Sequence, residues 1–422
     1  MDSYQFILDL AIILLSTKVM GLITKRFHMP QVVGALLAGL IFGPACLNII
    51  QETPFIQSGA EIGVIVLMFC AGLETDVQEL KKSGKASFII AMVGVIVPLI
   101  GGYFVAMLFN QPGKIVSDAT SPIFLQNVFI GVILTATSVS ITVETLKELG
   151  KLKTRSGSAI LGAAIIDDVI GIIALTIITS MADTSINVGI VLLKIAAFFV
   201  FAAVAGYIFY KFYKKWSDNA PDLLRRHSII AFVFCLLMAY CAEHFFGVAD
   251  ITGAFIAGLI ISMTAKSTNL ASKFDVLSYL FLSPIFFASI GLKVVIPKMS
   301  GDIIWFSVIL VIVAILSKVV GCGIGAKVCR YKNYQSVRIG FGMISRGEVA
   351  LIVAAKGATM GLMGKAFIGP VIVVVVITTI ITPILLKVVY RFEPSDISAE
   401  LITENVFAEN YEETDVNRDE AD

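Results

Sequence analysis

The sequence predicts an all-α polytopic membrane protein of about thirteen transmembrane helices. Three observations carry this reading. Of 422 residues, 57% are hydrophobic and only 15% charged, against about 25% charged in a soluble domain. Apolar runs of the roughly 20 residues needed to cross a bilayer recur from end to end. The runs are continuous rather than alternating, which excludes a β-barrel.

Cutting the chain at charged or Pro/Gly-rich breaks places the spans at about 3–23, 30–49, 58–74, 86–109, 122–144, 156–180, 186–210, 227–246, 248–265, 275–292, 301–326, 335–360 and 365–390. The first run lacks a basic start and a small-residue cleavage site, and it contains Asp9 and Lys18. It reads as a retained span, not a signal peptide. In span 2, G34-A-L-L-A-G-L-I41 matches G253-A-F-I-A-G-L-I260 of span 9, 219 residues later, and at the same offset Gly72-Leu73 of span 3 falls on Gly291-Leu292 of span 10. Seven spans separate the copies. An odd number reverses direction, so the sequence predicts an inverted-topology repeat, a pattern of secondary transporters. Span 7 is then a linker, and spans 4–6 correspond to spans 11–13. The G39-L-I-F-G43 spacing fits close helix packing, within one protomer or at a dimer contact.

Span 5 carries T135-A-T-S-V-S-I-T142 and span 12 carries S345-R-G-E348. Hydroxyls compete for backbone groups and Gly347 loosens the chain, so both spans are expected to break inside the membrane. Broken backbone at that depth is tolerated only where it lines a protein cavity, and paired breaks point to a substrate site. Span 6 carries Asp167 and Asp168 with no other charge between Ser158 and Ile178, and span 11 carries Lys318 near its middle. Adjacent helical residues diverge by about 100°, so one carboxylate can pair with Lys318 while the other faces an aqueous cavity. A proton and a metal cation would then compete for that second carboxylate.

Lys and Arg crowd the loops after spans 1, 3, 5, 7, 9 and 11 and the end of span 13. The opposite side holds Lys114, Lys293, Lys298, Lys356 and Lys365. The positive-inside rule puts the N-terminus outside and the C-terminus in the cytoplasm of a cell membrane. From Phe392 onward come eleven acids and one base, Arg418, a composition that reads as a disordered tail. No basic, aromatic-interleaved patch suggests nucleic acid. The six cysteines form no CxxC and read as packing residues. Glu61, Asp9 and Lys194 lie toward span ends and read as interfacial. His28, His227 and His244 lie near span boundaries and read as solvated.

T135-A-T-S138, A164-I-I-D-D168, L316-S-K318 with G321-C-G-I-G325, and R346-G-E348 occur in an order that resembles the bacterial cation:proton antiporters of the Kef and NapA branch. The resemblance covers about residues 5–390. It implies an elevator: a dimerisation panel (about 3–74 and 227–292), a mobile core (about 86–180 and 301–390) in which the two broken helices cross, and a linker at 186–210, all within a 1–391 transporter domain followed by the 392–422 tail. It implies that Asp168 carries cation and proton, that Asp167 pairs with Lys318, and that Thr137 and Ser138 supply oxygen ligands, with Na+ at Asp168 and Asp167. Arg346 and Glu348 would be a charged pair at the second crossing. It implies transport rather than enzymatic catalysis, a homodimer, and no cofactor beyond the transported Na+ or K+ and H+. No nucleotide-binding domain follows in this chain, so regulation of that kind would need a separate subunit. Two protons per Na+ would follow if Lys318 gives up its proton, and one if it does not. Na+ against K+ stays open. A Na+-coupled solute symporter is the alternative outside the class. An intramembrane aspartic protease is disfavoured, because adjacent carboxylates diverge and cannot share one water.

Overall fold

In the computed structural model, residues 4–27, 29–111, 114–115, 118–182, 187–218, 226–264, 267–295 and 299–392 are described. His28, Lys298 and the acidic segment beyond Phe392 lie outside them. Among the described residues the chain is entirely helical. Its helices are α1 (Gln5–Arg26), α2 (Gln31–Phe42), α3 (Pro54–Glu74), α4 (Val77–Phe109), α5 (Ile123–Thr135), α6 (Val139–Glu148), α7 (Arg155–Ala182), α8 (Val188–Asp218), α9 (Arg226–Cys241), α10 (Asp250–Ser262), α11 (Ser267–Leu277), α12 (Ser283–Leu292), α13 (Gly301–Val328), α14 (Asn333–Gly342), α15 (Glu348–Thr359) and α16 (Ile368–Arg391). Among the described residues, ten helical stretches are long and apolar enough to span a membrane, counting α5–α6 and α11–α12 as one each, and α2 and α10 are shorter apolar helices. The α14–α15 pair occupies the predicted place of span 12.

Charge misplaced some boundaries. The lysine-rich stretch before residue 86 is the first turns of α4, which begins at Val77. Asp76 caps it, accepting from the backbone N–H groups of Gln78 (2.7 Å) and Glu79 (3.3 Å). Such a cap stabilises a helix by about 1 kcal/mol. Lysines on the first turns of such a helix can keep their charge in water while their stems lie on apolar surface. Span 10 likewise begins at Ser267, and α2 stops at Phe42, before Gly43-Pro44. Asp9, near the start of α1, is buried and accepts from Gln5 Nε2 at 3.0 Å. His227 is buried too, its ring 4.0 Å from that of Trp216, and is not a solvated histidine. Cys70, Cys235 and Cys322 are buried, and all six cysteines are free thiols.

Glycines set how the first helices pack. A Cβ on Gly39 of α2 would fall 2.0 Å from the Ala288 carbonyl oxygen of α12, and one on Gly258 of α10 would fall 2.3 Å from that of Phe69 of α3. On Gly291 it would meet the Leu36 oxygen at 2.7 Å, and on Gly72 the Phe255 oxygen at 2.3 Å. In each comparison glycine and partner both shift by 219 residues. The α2–α12 crossing is thus repeated at α10–α3, and the Gly39 spacing serves packing inside one chain.

Helices α1–α3 and α9–α12 pack mainly on one another, as do α4–α7 and α13–α16, with α8 touching both sets. Two apolar clusters fill the second set. One, shared with α2, α3 and α10, takes in Ile141, Ile160, Cys322, Ile339 and Leu386. The other takes in Val105, Phe129, Leu310, Ala354 and Val371. Between the clusters α7 carries Asp167 and Asp168, α13 carries Lys318 and α16 carries Thr378 and Thr379, and the candidate site lies there.

Candidate ion-binding site

Two helices break at the same depth. Helix α5 ends at Thr135, whose hydroxyl turns back to the Val132 carbonyl (2.7 Å), and α6 begins at Val139. Helix α14 ends at Gly342, and α15 begins at Glu348. The extended strips between them cross and hydrogen-bond reciprocally. Ser138 N–H donates to the Ser345 carbonyl (2.8 Å), and the Ser345 hydroxyl donates to the Ser138 carbonyl (2.8 Å). The Thr142 hydroxyl closes the gap onto the Gly342 carbonyl at 2.7 Å. Gly347 is required by the approach: a Cβ there would lie 2.7 Å from Ser138 Oγ and 2.9 Å from its Cβ. These contacts satisfy backbone groups that neither water nor helix can serve at this depth.

The crossing puts two helix C-termini and two N-termini together, each carrying about half a charge. Arg346, fully buried, answers the negative ends. Its Nη2 donates to the Leu134 carbonyl of α5 (2.9 Å) and its Nη1 to the Ile344 carbonyl beyond α14 (2.5 Å). Helix α16 braces its backbone, with Thr379 Oγ1 donating to the Arg346 carbonyl (2.5 Å) and Arg346 N–H donating to Thr378 Oγ1 (3.3 Å). Glu348 sits on the first turn of α15, at a positive end. Arg346 and Glu348 form no ion pair with each other. Each lies at a helix end, where structural charges near the crossing are expected.

Asp167 and Asp168 project from α7 into opposite surroundings. Asp167 is 2% exposed and both its oxygens accept from Lys318 Nζ, at 3.0 and 3.2 Å. Lys318 is 0% exposed, too deep to reach water by extending its stem. Its ammonium fits a notch at Gly94, where a Cβ would come within 4.0 Å of Nζ and 2.4 Å of Cys322 Sγ. Arg346 adds a second positive charge near Asp167. The Thr137 hydroxyl faces the Asp167 carboxylate without reaching hydrogen-bonding geometry with any partner among the described residues. Asp168 is half-buried. No hydrogen bond or ion pair reaches its side chain among the described residues, and the charges acting on it are Asp167 and Glu348, both acidic, with Lys318 opposing. Ser138 Oγ lies 3.2 Å from Ser140 Oγ beside the same break. Among the described residues no three His, Cys, Asp or Glu side chains cluster as a metal site would require. A cation here would rest on carboxylate, hydroxyl and carbonyl oxygens, the set that suits hard alkali ions.

Sequence reasoning overlooked Thr378 and Thr379, although the I377-T-T379 doublet inside an apolar span carried the same signal as the hydroxyls of span 5. It also overlooked a charged lattice flanking a cavity of about 660 Å³, whose lining includes Glu74, Glu144, Lys147, Glu148 and Asp275 but not Asp168. Lys147 of α6 pairs with Glu74 (3.3 Å) and Asp275, and the Glu148 carboxylate accepts the Gln31 N–H at the start of α2 (2.7 and 2.8 Å). These partners are scattered in sequence, and only the fold collects them.

Residues 11–391 match the family model described as "Sodium/hydrogen exchanger, transmembrane". The chain belongs to the sodium/hydrogen exchanger family. It is 38% identical to the Na(+)/H(+)-K(+) antiporter GerN of Bacillus cereus over 396 residues, covering 93% of this chain and 98% of that protein. It is 42% identical to the probable Na(+)/H(+) antiporter GerT of the same organism over 385 residues, 90% and 98% of the two chains. Among solved structures, the sodium proton antiporter MjNhaP1 of Methanocaldococcus jannaschii at pH 8 superposes with a TM-score of 0.67, covering 92% of this chain and 97% of that one, at 19% identity. The fold is therefore that of an exchanger of this family.

Proposed function

We propose that the protein is a Na+/H+ antiporter in which Asp168 alternately carries the proton and the cation. The observation that carries this is the contrast between neighbours. Asp167 has its own buried cation, whereas Asp168 stands half-buried without one and with acids nearby. A carboxylate so placed must take up a positive charge to be stable, and a proton and Na+ exclude each other on it. Thr137, Ser138 and Asp167 are the proposed further oxygen ligands. The exchange is an elevator movement of α4–α7 and α13–α16 against a panel of α1–α3 and α9–α12, with α8 as linker. The internal packing of each helix set supports this division, and the glycine contacts recurring at one offset support an inverted repeat. A homodimer joined through the panel, with N-terminus outside and C-terminus in the cytoplasm, completes the reading.

K+ is the second candidate cargo, because the relative GerN carries K+ in its name. The test is reconstitution in liposomes with an acid interior and a pH-sensitive dye, adding Na+ or K+ to wild type and to Asp168→Asn. Antiport through Asp168 requires cation-driven alkalinisation in wild type and none in the variant, and the ratio of the two responses names the cargo. Equal responses in both proteins would remove Asp168 as carrier.

A further inference from the structure

A second cavity, of about 530 Å³, lies beside the last two turns of α16. Helix α16 ends a stretch long and apolar enough to cross a membrane, Lys365–Arg391, so the cavity sits where hydrocarbon gives way to lipid headgroups. Ile384, Lys387, Val388 and Arg391 line it from α16. Their spacing of three and four residues puts them on one face of the helix. Further wall comes from Phe27 and Met29 of the α1–α2 connection and from Leu149 and Lys151 beyond α6. The rim is apolar and open at Phe27 and Val388, which are 68% and 47% exposed.

Three bases line this hollow and no acid does. Lys151, Lys387 and Arg391 form no ion pair among the described residues. An excess of bases is ordinary on one side of a membrane protein, but it does not sort charges between cavities. The larger cavity, at the same end of α6, mixes Glu74, Glu144, Glu148 and Asp275 with Lys18 and Lys147, and Lys147 is paired there. In the smaller one no protein acid answers the positive charge. Like charges gathered on a low-dielectric wall call for an anion. A water-soluble anion would leave Phe27 and Val388 uncovered, and a neutral lipid would leave the bases unanswered. An anion with an apolar body satisfies both.

We propose that this cavity binds an anionic phospholipid of the surrounding bilayer. Its phosphate lies among Lys151, Lys387 and Arg391, the guanidinium offering a planar fork to two phosphate oxygens. Its acyl chains run past Phe27, Ile384 and Val388 into the membrane. Basic pockets between membrane helices hold acidic headgroups in this way. The wall draws on the α1–α2 connection and on α6 and α16, so the lipid fills a seam between the two helix sets. Asp168 is not part of the wall, and the binding stands apart from the antiport reading.

The test uses the full chain in phosphatidylcholine vesicles holding a small fraction of phosphatidylglycerol with a photoreactive diazirine in its acyl chain. Labelled peptides are mapped by mass spectrometry, and a diazirine-bearing phosphatidylcholine is the comparison probe. Adducts within residues 27–29, 149–151 or 384–391 should be at least fivefold more abundant with phosphatidylglycerol. They should fall at least fivefold in Lys151→Gln/Lys387→Gln/Arg391→Gln. Adducts on the exposed face of α8, at Val200, Val204 and Ile208, should stay constant and show that the variant is folded and inserted. Equal labelling by the two probes overturns the proposal on wild-type protein alone. So does labelling that the triple variant leaves unchanged, the result expected of ordinary boundary lipid. Excess soluble glycerol phosphate, at matched ionic strength, should leave the adducts in place. Their loss would mean that the bases hold a phosphate and the hollow holds no chains, which overturns the lipid site as well.

Discussion

At the residue scale, two adjacent aspartates are separated by what each touches. Asp167 and Lys318 are fully buried and mutually neutralising, so removing one partner leaves a bare charge. Lys318→Met is expected to destabilise the protein by about 3–5 kcal/mol, read as a lowered thermal midpoint in detergent, and Lys318→Met with Asp167→Asn should recover most of it. Asp168 has no such partner, so Asp168→Asn should leave the midpoint unchanged or raised while abolishing exchange. A large loss of stability in Asp168→Asn would contradict the picture of an unpaired carboxylate. The sequence showed these residues directly, because charge inside an apolar run has few explanations. It did not show which carboxylate takes the lysine: helical divergence says only that they differ. The family resemblance assigned Asp167, and the 3.0 Å contact agrees.

At the scale of elements, the site depends on two helix interruptions meeting. Gly347→Ala drives a methyl group against Ser138 Oγ and Cβ; the hydroxyl can rotate away, but the Cβ cannot retreat without shifting the Ser138 backbone that bonds Ser345. Exchange is expected to fall at least tenfold with helical content unchanged by circular dichroism; near-wild-type exchange would mean the crossing is not needed at this spacing. Both breaks were legible from hydroxyl and glycine content. The bracing by Thr378 and Thr379 was not, because a threonine on an apolar helix ordinarily bonds its own preceding turn, as Thr378 also does to the Val374 carbonyl (2.8 Å). Helix ends fared worst where charge was taken as a stop. Asp76 and the lysines of α4 show that charge near a membrane surface continues a helix as readily as it ends one.

Across the whole molecule, the contacts between the two helix sets include apolar packing and also the charged lattice around Lys147. Lys147 and Glu148 tie α6 to α2, α3 and α11 through side chains that are mostly part-exposed. Such pairs are worth about 0–1 kcal/mol each. Lys147→Gln should therefore shift the thermal midpoint little yet change the exchange rate severalfold, because it loosens an attachment between the sets rather than either set. A large stability loss with an unchanged rate would show the lattice to be only structural. The expectation of a panel and a core came from the family resemblance, whereas the glycine-bearing segments repeated 219 residues apart suggested only two halves about a linker. The lattice was invisible, since its members lie on α3, α6 and α11 with no common pattern.

The α14–α15 break also bears on how the protein is made. Its stretch is absent from the helices long and apolar enough to span a membrane, and it carries a fully buried arginine. Such a segment has little reason to leave the translocon on its own hydrophobicity. Its counterpart across the crossing, α5–α6, precedes it in the chain and is already synthesised when residue 333 emerges. The earlier broken helix offers the Leu134 and Ser138 carbonyls that accept from Arg346 and Ser345, so insertion of the later one is expected to depend on the earlier being in place.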